Sequence, residues 1–375
     1  MHDRRLHVCF VLPSLNGGGA ERAAVKIINA LDEGRFRRSL YIFRREGRYL
    51  DDVSSAVAVD AASRDDRWSR VRELRRYFES SRPDVAVSFL SYFSTFAAAK
   101  MSAGSPRLIV NLQTPMSAFL DDREYRWREP LRRRVFQQVV RATYPRVSAV
   151  VATSSGVATD LTDAFHVPAE RIVVIPNPID LAEIDAQSRE PVPELRDDGR
   201  PVIVAAGRLA EAKNYPLLVE SLRLLRRERP FTAFVLGEGE LEGAIRRAIA
   251  DAGLEADVHL CGFQRNPWKY MARADVFALT SRYEGFGNVI VEAMACGCPV
   301  VATASPGATE IIEPGCTGLL VERHAPEPFA RALAELLADP ARRAAMRTAA
   351  RASAARYAIG PVVARYAALF ERVAA

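Results

Sequence analysis

The feature that most constrains this chain is a repeated alternation of short apolar segments with helix-compatible stretches, run through twice. In the first half the apolar segments are 7–12, 40–43, 56–59, 85–89, 108–111, 149–153 and 172–175. In the second half they are 202–206, 233–236, 258–261, 276–278 and 300–302. They are rich in Val and Ile and carry no polar alternation, as strands covered on both faces must be. Helical patterns separate them, at 20–31, 67–80 and 125–141 and again at 215–229, 240–252, 288–296, 328–338 and 342–356. A βαβα order of this kind predicts parallel, doubly wound sheets. Between the two runs, Pro176-Asn177-Pro178 blocks helix formation and 190–201 is polar and Pro-rich. The expected organisation is therefore α/β: a Rossmann-like domain over 1–178, a linker over 179–200, a second Rossmann-like domain over 201–357, and a helix within 358–375. Two such domains would face each other across an interdomain cleft, with ligand bound beyond the strand carboxyl ends.

The 375 residues exceed one ordinary domain, and 49% hydrophobic with 26% charged residues is a globular composition. Apolar runs such as 147–152 fall far short of the roughly 18 residues that span a bilayer, and residues 1–6 lead straight into a strand, so no signal peptide is expected. Five cysteines without a CxxC pair read as reduced thiols of a cytosolic compartment and predict no metal site. The net charge of +6 is concentrated in residues 1–190, where 29 Lys and Arg face 24 Asp and Glu. That bias fits an anionic ligand or membrane surface; no nucleic-acid-binding motif accompanies it.

Two glycine-rich loops follow strands. Gly17-Gly18-Gly19 precedes Ala20-Glu21-Arg22 and opens a helix, which brings backbone N–H groups close to a ligand. Gly237-Glu238-Gly239 stands in the equivalent place in the second half. Neither fits the dinucleotide fingerprint GxGxxG. After segment 202–206 come Gly207-Arg208, with Lys213 five residues on, a fork and a mobile point charge suited to a diphosphate. The stretch Glu284-Gly285-Phe286-Gly287-Asn288-Val289-Ile290-Val291-Glu292 leaves another strand. Asn288 can cap a helix whose start favours phosphate. Glu292 lies about one turn along, where it can accept from two sugar hydroxyls; a carboxylate in so apolar a helix is costly without donors.

These residues resemble glycosyltransferase family 4, the nucleotide-sugar enzymes of GT-B fold. The match lies in Gly17–Arg22, in Gly207-Arg208 with Lys213, and above all in the E-x7-E motif Glu284–Glu292 followed by Ala293-Met294-Ala295-Cys296-Gly297. The Gly-Gly-Ala-Glu-Arg start is similar to members that build bacterial surface glycans on lipid carriers, the Pgl-type transferases among them. The resemblance implies that Arg208 and Lys213 neutralise the donor diphosphate, that Gly287, Asn288 and Val289 offer N–H groups to it, and that Glu284 holds the transferring sugar. It implies that Glu292 binds the ribose, that Gly262 and Phe263 flank the base, and that Gly18, Gly19, Gly207, Gly237, Gly285 and Phe286 line the donor site. It further implies retention of anomeric configuration, no metal and no cofactor, a UDP-hexose or UDP-N-acetylhexosamine donor with GDP-mannose next, and a C-terminal helix crossing back to the first domain. Many members place a His after the strand that here is 108–111; this chain has Gln113 and Thr114, which can contact sugar or acceptor but cannot protonate.

The acceptor, a saccharide or polyprenyl-linked saccharide, is the less legible side. Residues 121–146 carry eight Arg against four acids, and Trp127, Leu131, Val135, Phe136 and Val139 make one apolar stripe. The stripe reads either as packing on the sheet or as a basic, amphipathic contact with anionic lipid, which would put the protein on the cytoplasmic face of a membrane. Phe89, Tyr92, Phe93 and Phe96 read as core or as an acceptor groove. An epimerase or phosphorylase on the same fold, or a binding protein without activity, stay open as alternatives.

Overall fold

A computed structural model of the chain describes residues 5–64, 66–121, 130–195, 198–322 and 324–375. Two compact units emerge. The described residues of Met1–Ser117, Glu129–Pro178 and Ile359–Ala375 form the first, and those of Ala118–Arg128 and Ile179–Ala358 the second.

The first unit holds seven parallel strands: β1 (Leu6–Leu12), β2 (Phe36–Ile42), β3 (Ala58–Ala61), β4 (Val85–Phe89), β5 (Arg107–Leu112), β6 (Ala149–Ala152) and β7 (Ile172–Val174). Their order is β3-β2-β1-β4-β5-β6-β7, so the winding reverses between β1 and β4. Val8, Phe10 and Leu12 project into the face covered by the C-terminal helix Ile359–Ala374. That helix repeats apolar residues at Val362, Val363, Tyr366, Leu369 and Phe370, and the Phe370 ring meets Phe10 and Phe36 edge-on at 6.2 and 6.3 Å. Its apolar stripe is why the end of the chain belongs to the first unit.

The second unit holds β8 (Val202–Ala206), β9 (Thr232–Leu236), β10 (Val258–Leu260), β11 (Val276–Leu279), β12 (Val300–Thr303) and β13 (Gly318–Val321), ordered β10-β9-β8-β11-β12-β13 and all parallel. Val202, Val204 and Ala206 enter one hydrophobic cluster, and Ile203 and Ala205 the cluster on the other face. Both faces are buried, which is why β8 shows no polar alternation. The winding reverses between β8 and β11.

One expectation needs correction. Residues 179–200 are not a plain linker: Leu181–Gln187 is helical, and Ile179, Ile184 and Val192 are buried in the second unit's core. Asp180 caps that helix, accepting the N–H groups of Ala182 and Glu183 at 3.0 Å. The aromatic run after β4 is a helix, Tyr92–Met101, in which Tyr92 packs on Tyr144 at 4.3 Å between ring centroids while Phe93 is partly exposed. The helix expected over 125–141 spans Pro130–Thr143; residues 122–129, Trp127 included, lie outside the described residues.

Candidate active site

In an open α/β sheet the carboxyl ends of strands at a winding reversal splay apart and leave room for a ligand. In the second unit that point lies beyond β8 and β11, and Gly207-Arg208 and Ser281–Glu284 leave those two strands there.

Loops after three neighbouring strands are laced to one another. The Gly207 N–H donates to the Leu236 carbonyl at 2.9 Å, and the Gly237 N–H to the Gly262 carbonyl at 2.7 Å. The Phe263 N–H reaches Glu238 Oε1 at 3.4 Å. Gly237 has φ +141°, and a Cβ there would lie 2.0 Å from the Gly207 oxygen, so only glycine lets the second loop pass under the first. The Tyr215 hydroxyl donates to the same Gly207 oxygen at 2.9 Å. Burial, and then the charge of Glu284, push its phenol pKa up, so it remains a donor.

Arg208 is exposed at the rim of this arrangement. Lys213 Nζ lies 2.5 Å from Glu284 Oε1, with side-chain exposures of 20% and 11%. Ser281 Oγ donates to the same carboxylate oxygen at 2.7 Å. The lysine's backbone is tied down as well: its carbonyl accepts from Thr280 Oγ1 at 3.0 Å, and the neighbouring Ala212 carbonyl accepts from the Arg282 N–H at 2.8 Å. The sheet reversal thus brings together a lysine and a glutamate 71 residues apart.

The segment after Glu284 turns into a helix. The Glu284 carbonyl accepts from the Gly307 N–H at 3.1 Å, and Phe286 is buried against Tyr357 with ring centroids 5.3 Å apart. Gly287, at φ +95°, precedes the helix Asn288–Ala295. The N–H groups of a helix's first turn have no intrahelical acceptor and carry the positive end of its dipole, so this start suits an anion. Asn288 and Val289 are half-buried there, beside buried Gly285 and Gly287. Glu292, only 5% exposed, stands one turn further in.

The first unit holds the remaining residues. Gly18 precedes the helix Gly19–Ala30, and both glycines are exposed. Gln113 is engaged within the protein. Its Nε2 donates to Asn111 Oδ1 at 2.5 Å, and its amide pairs reciprocally with that of Asn177 at 2.6 and 3.2 Å. Asn111 Nδ2 in turn donates to the Tyr366 hydroxyl at 2.8 Å. Gln113 therefore ties the end of β5, the Pro-Asn-Pro turn and the C-terminal helix together. Thr114 is half-buried beside it. Among the described residues no three His, Cys, Asp or Glu side chains are grouped closely enough to hold a metal ion, and no helix is long and apolar enough to cross a membrane.

Sequence reasoning gives no role to Tyr215 or Ser281, whose contacts depend on tertiary placement. Glu238, between two glycines already noted, was the more accessible signal.

The Glycosyltransferase Family 4 model matches residues 17–183 and the Glycosyl transferases group 1 model residues 187–353. A Campylobacter jejuni protein, the N-acetylgalactosamine-N,N'-diacetylbacillosaminyl-diphospho-undecaprenol 4-alpha-N-acetylgalactosaminyltransferase, is 31% identical over 68% of this chain and 67% of its own length. The lipopolysaccharide core biosynthesis glycosyltransferase LpsE of Rhizobium meliloti is 27% identical over 86% of each chain. HepE of Anabaena, solved with UDP and glucose, superposes with a TM-score of 0.81 at 22% identity, covering 98% of this chain and 100% of HepE. With both halves matched in order, the chain belongs to glycosyltransferase family 4 and is a glycosyltransferase of GT-B fold.

Proposed function

We propose that this enzyme moves a hexose or N-acetylhexosamine from a UDP-sugar to a lipid-linked saccharide in bacterial glycan assembly, with retention and without a metal. The observation that carries the reading is the Lys213–Glu284 pair at the β8–β11 reversal, with Arg208 at the rim and the helix start at Asn288 beside it. Two cations and a helix N-terminus supply the charge that a diphosphate leaving group needs. Arg208 and Lys213 hold its oxygens as the bond from the anomeric carbon to the diphosphate breaks. The acceptor hydroxyl oxygen forms the new bond on the same face, and its proton passes to the departing phosphate oxygen. No protein base is required, consistent with Gln113 in place of the family's usual histidine. Glu284 binds sugar hydroxyls and Glu292 the ribose. The Campylobacter relative's undecaprenol-linked substrate supports the acceptor class, and the UDP bound to HepE supports the nucleotide.

A basic face in the first unit supports docking on anionic lipid. On the helix Pro130–Thr143, Leu131 and Val135 are 75% and 54% exposed and flank Arg132, Arg133 and Arg134. Phe136 of that helix meets the partly exposed Phe93 at 5.5 Å. Burying two aliphatic side chains beside three cations favours a membrane interface.

One assay tests these readings. UDP-glucose, UDP-N-acetylglucosamine, UDP-N-acetylgalactosamine and GDP-mannose are offered with a polyprenyl-diphosphate-linked saccharide, and the product's anomeric configuration is read by NMR. The expected result is α-linked product from a UDP-sugar, undiminished by chelator. It is accelerated by phosphatidylglycerol vesicles in the wild type and not in Leu131→Glu. An inverted product, or transfer that requires added metal, overturns the mechanism; equal acceleration of Leu131→Glu overturns the docking face.

A further inference from the structure

The amino ends of β8 and β11 lie at the far end of the second sheet from the loops that carry Arg208, Lys213 and Glu284, roughly 15 Å away at about 3.3 Å per residue. A separate cavity of about 630 Å³ opens there, beside Pro201 and Val202. Among the described residues four arginines line it, Arg200, Arg229, Arg273 and Arg343, against a single carboxylate, Asp275.

Three of these guanidiniums are held by the protein. Arg343 donates to the Leu336 and Leu337 carbonyls at 3.0 and 2.7 Å and faces Asp275 at 3.4 Å. Arg273 donates to the Ser188 and Lys269 carbonyls at 3.0 and 2.9 Å. Arg200 pairs with Asp198 at 2.7 Å and with Asp257 at 3.2 Å, and Asp257 is shared with Arg226 at 2.9 Å. Carbonyls fix the geometry of these arginines without cancelling their charge, and among the described residues Asp198, Asp257 and Asp275 do not balance the five guanidiniums of Arg200, Arg226, Arg229, Arg273 and Arg343. Arg229 is the exception: its Nη1 is buried and has no hydrogen-bond partner among the described residues. A charged donor shut away from water without an acceptor is costly. Four arginines on the wall of one cavity, three of them positioned by the protein, make a receptor for a planar or tetrahedral oxyanion.

We propose that this cavity is a second anion site, which takes a phosphate or diphosphate group and closes it against Arg229. A free phosphorylated metabolite and a phospholipid headgroup both carry such a group, and the chemistry of recognition is the same for both. The site is separate from the donor loops and rests on none of the assignments made there.

The test is calorimetry with inorganic pyrophosphate on Arg208→Ala protein, in which the donor site is weakened, and on Arg208→Ala with Arg229→Gln. In parallel, phosphatidylglycerol vesicles are sedimented in a Leu131→Glu background, which removes the face proposed above for lipid contact, with and without Arg229→Gln. Saturable pyrophosphate binding that Arg229→Gln weakens by about tenfold or more supports the site with a soluble ligand. Vesicle binding lost in Arg229→Gln without pyrophosphate binding supports it with a lipid headgroup. No binding of either probe, or binding unchanged by Arg229→Gln, overturns it. Arg229 donates no side-chain hydrogen bond to a described residue, so Arg229→Gln breaks none among the described residues, and UDP binding by the Arg229→Gln single variant verifies that the domain is folded.

Discussion

Replacing Lys213 with alanine is expected to lower kcat by about 10²–10³-fold, the cost typical of removing one donor aimed at developing negative charge. The reason is geometric. Lys213 Nζ is 2.5 Å from Glu284 Oε1, and Thr280 and Arg282 hold the lysine's backbone segment, so the cation is positioned before donor arrives. The loss should appear in kcat more than in KM, because charge on the diphosphate grows as the sugar departs. Glu284→Ala should also be severe, since it removes the carboxylate that orients Lys213 together with the sugar contact proposed for it. The double variant should fall short of the product of the two losses, because the residues act as a unit. Steady-state release of UDP at saturating donor measures this. A kcat for Lys213→Ala within about threefold of wild type would remove the lysine from the mechanism.

Gly237→Ala is expected to destabilise the second unit by about 3 kcal/mol or more, through left-handed backbone strain and a steric clash. The added Cβ would stand 2.0 Å from the Gly207 oxygen, which also accepts the Tyr215 hydroxyl, so relief requires moving the loop that carries Arg208. The melting transition should fall by roughly 6–12 °C, and nucleotide binding should weaken with it. Gly243→Ala is the matched control. Gly243 lies in the helix Glu242–Asp251, its added Cβ meets only Arg247 at 3.8 Å, and alanine is the better helix former. Calorimetric melts of the two variants measure the difference; equal transitions would contradict the tight crossing of these loops.

The alternation of apolar and helical segments made the sheets legible, because strands buried on both faces announce themselves as unbroken Val and Ile runs. Residues 85–89 and 202–206 coincide with β4 and β8 at both ends. β13 escaped notice because Gly318–Val321 is four residues long and begins with glycine. The helix Ser155–Phe165 was legible but unread: Val157, Leu161 and Phe165 repeat every four residues, and Ser154 caps the Val157 N–H at 3.2 Å. Tyr92–Met101 offered no such stripe, since aromatic and small apolar residues cover it all round. Leu181–Gln187 was hidden by the prolines on either side of it. At the candidate site, loop positions after β8 and β11 were enough to bring Arg208, Lys213 and Glu284 to one end of the sheet. The engagement of Gln113 was not readable, because Asn177 is 64 residues away and Tyr366 reaches the network only through the C-terminal helix.

The most direct test of a diphosphate-binding donor site is titration calorimetry of UDP, GDP and ADP into the wild type and Arg208→Ala. UDP should bind the wild type in preference to the other two, and Arg208→Ala should weaken it by about 10–100-fold, the worth of one charge-assisted contact. Absence of UDP binding to the wild type, or equal affinity in Arg208→Ala, would contradict the assignment of the β8–β11 reversal as the donor site.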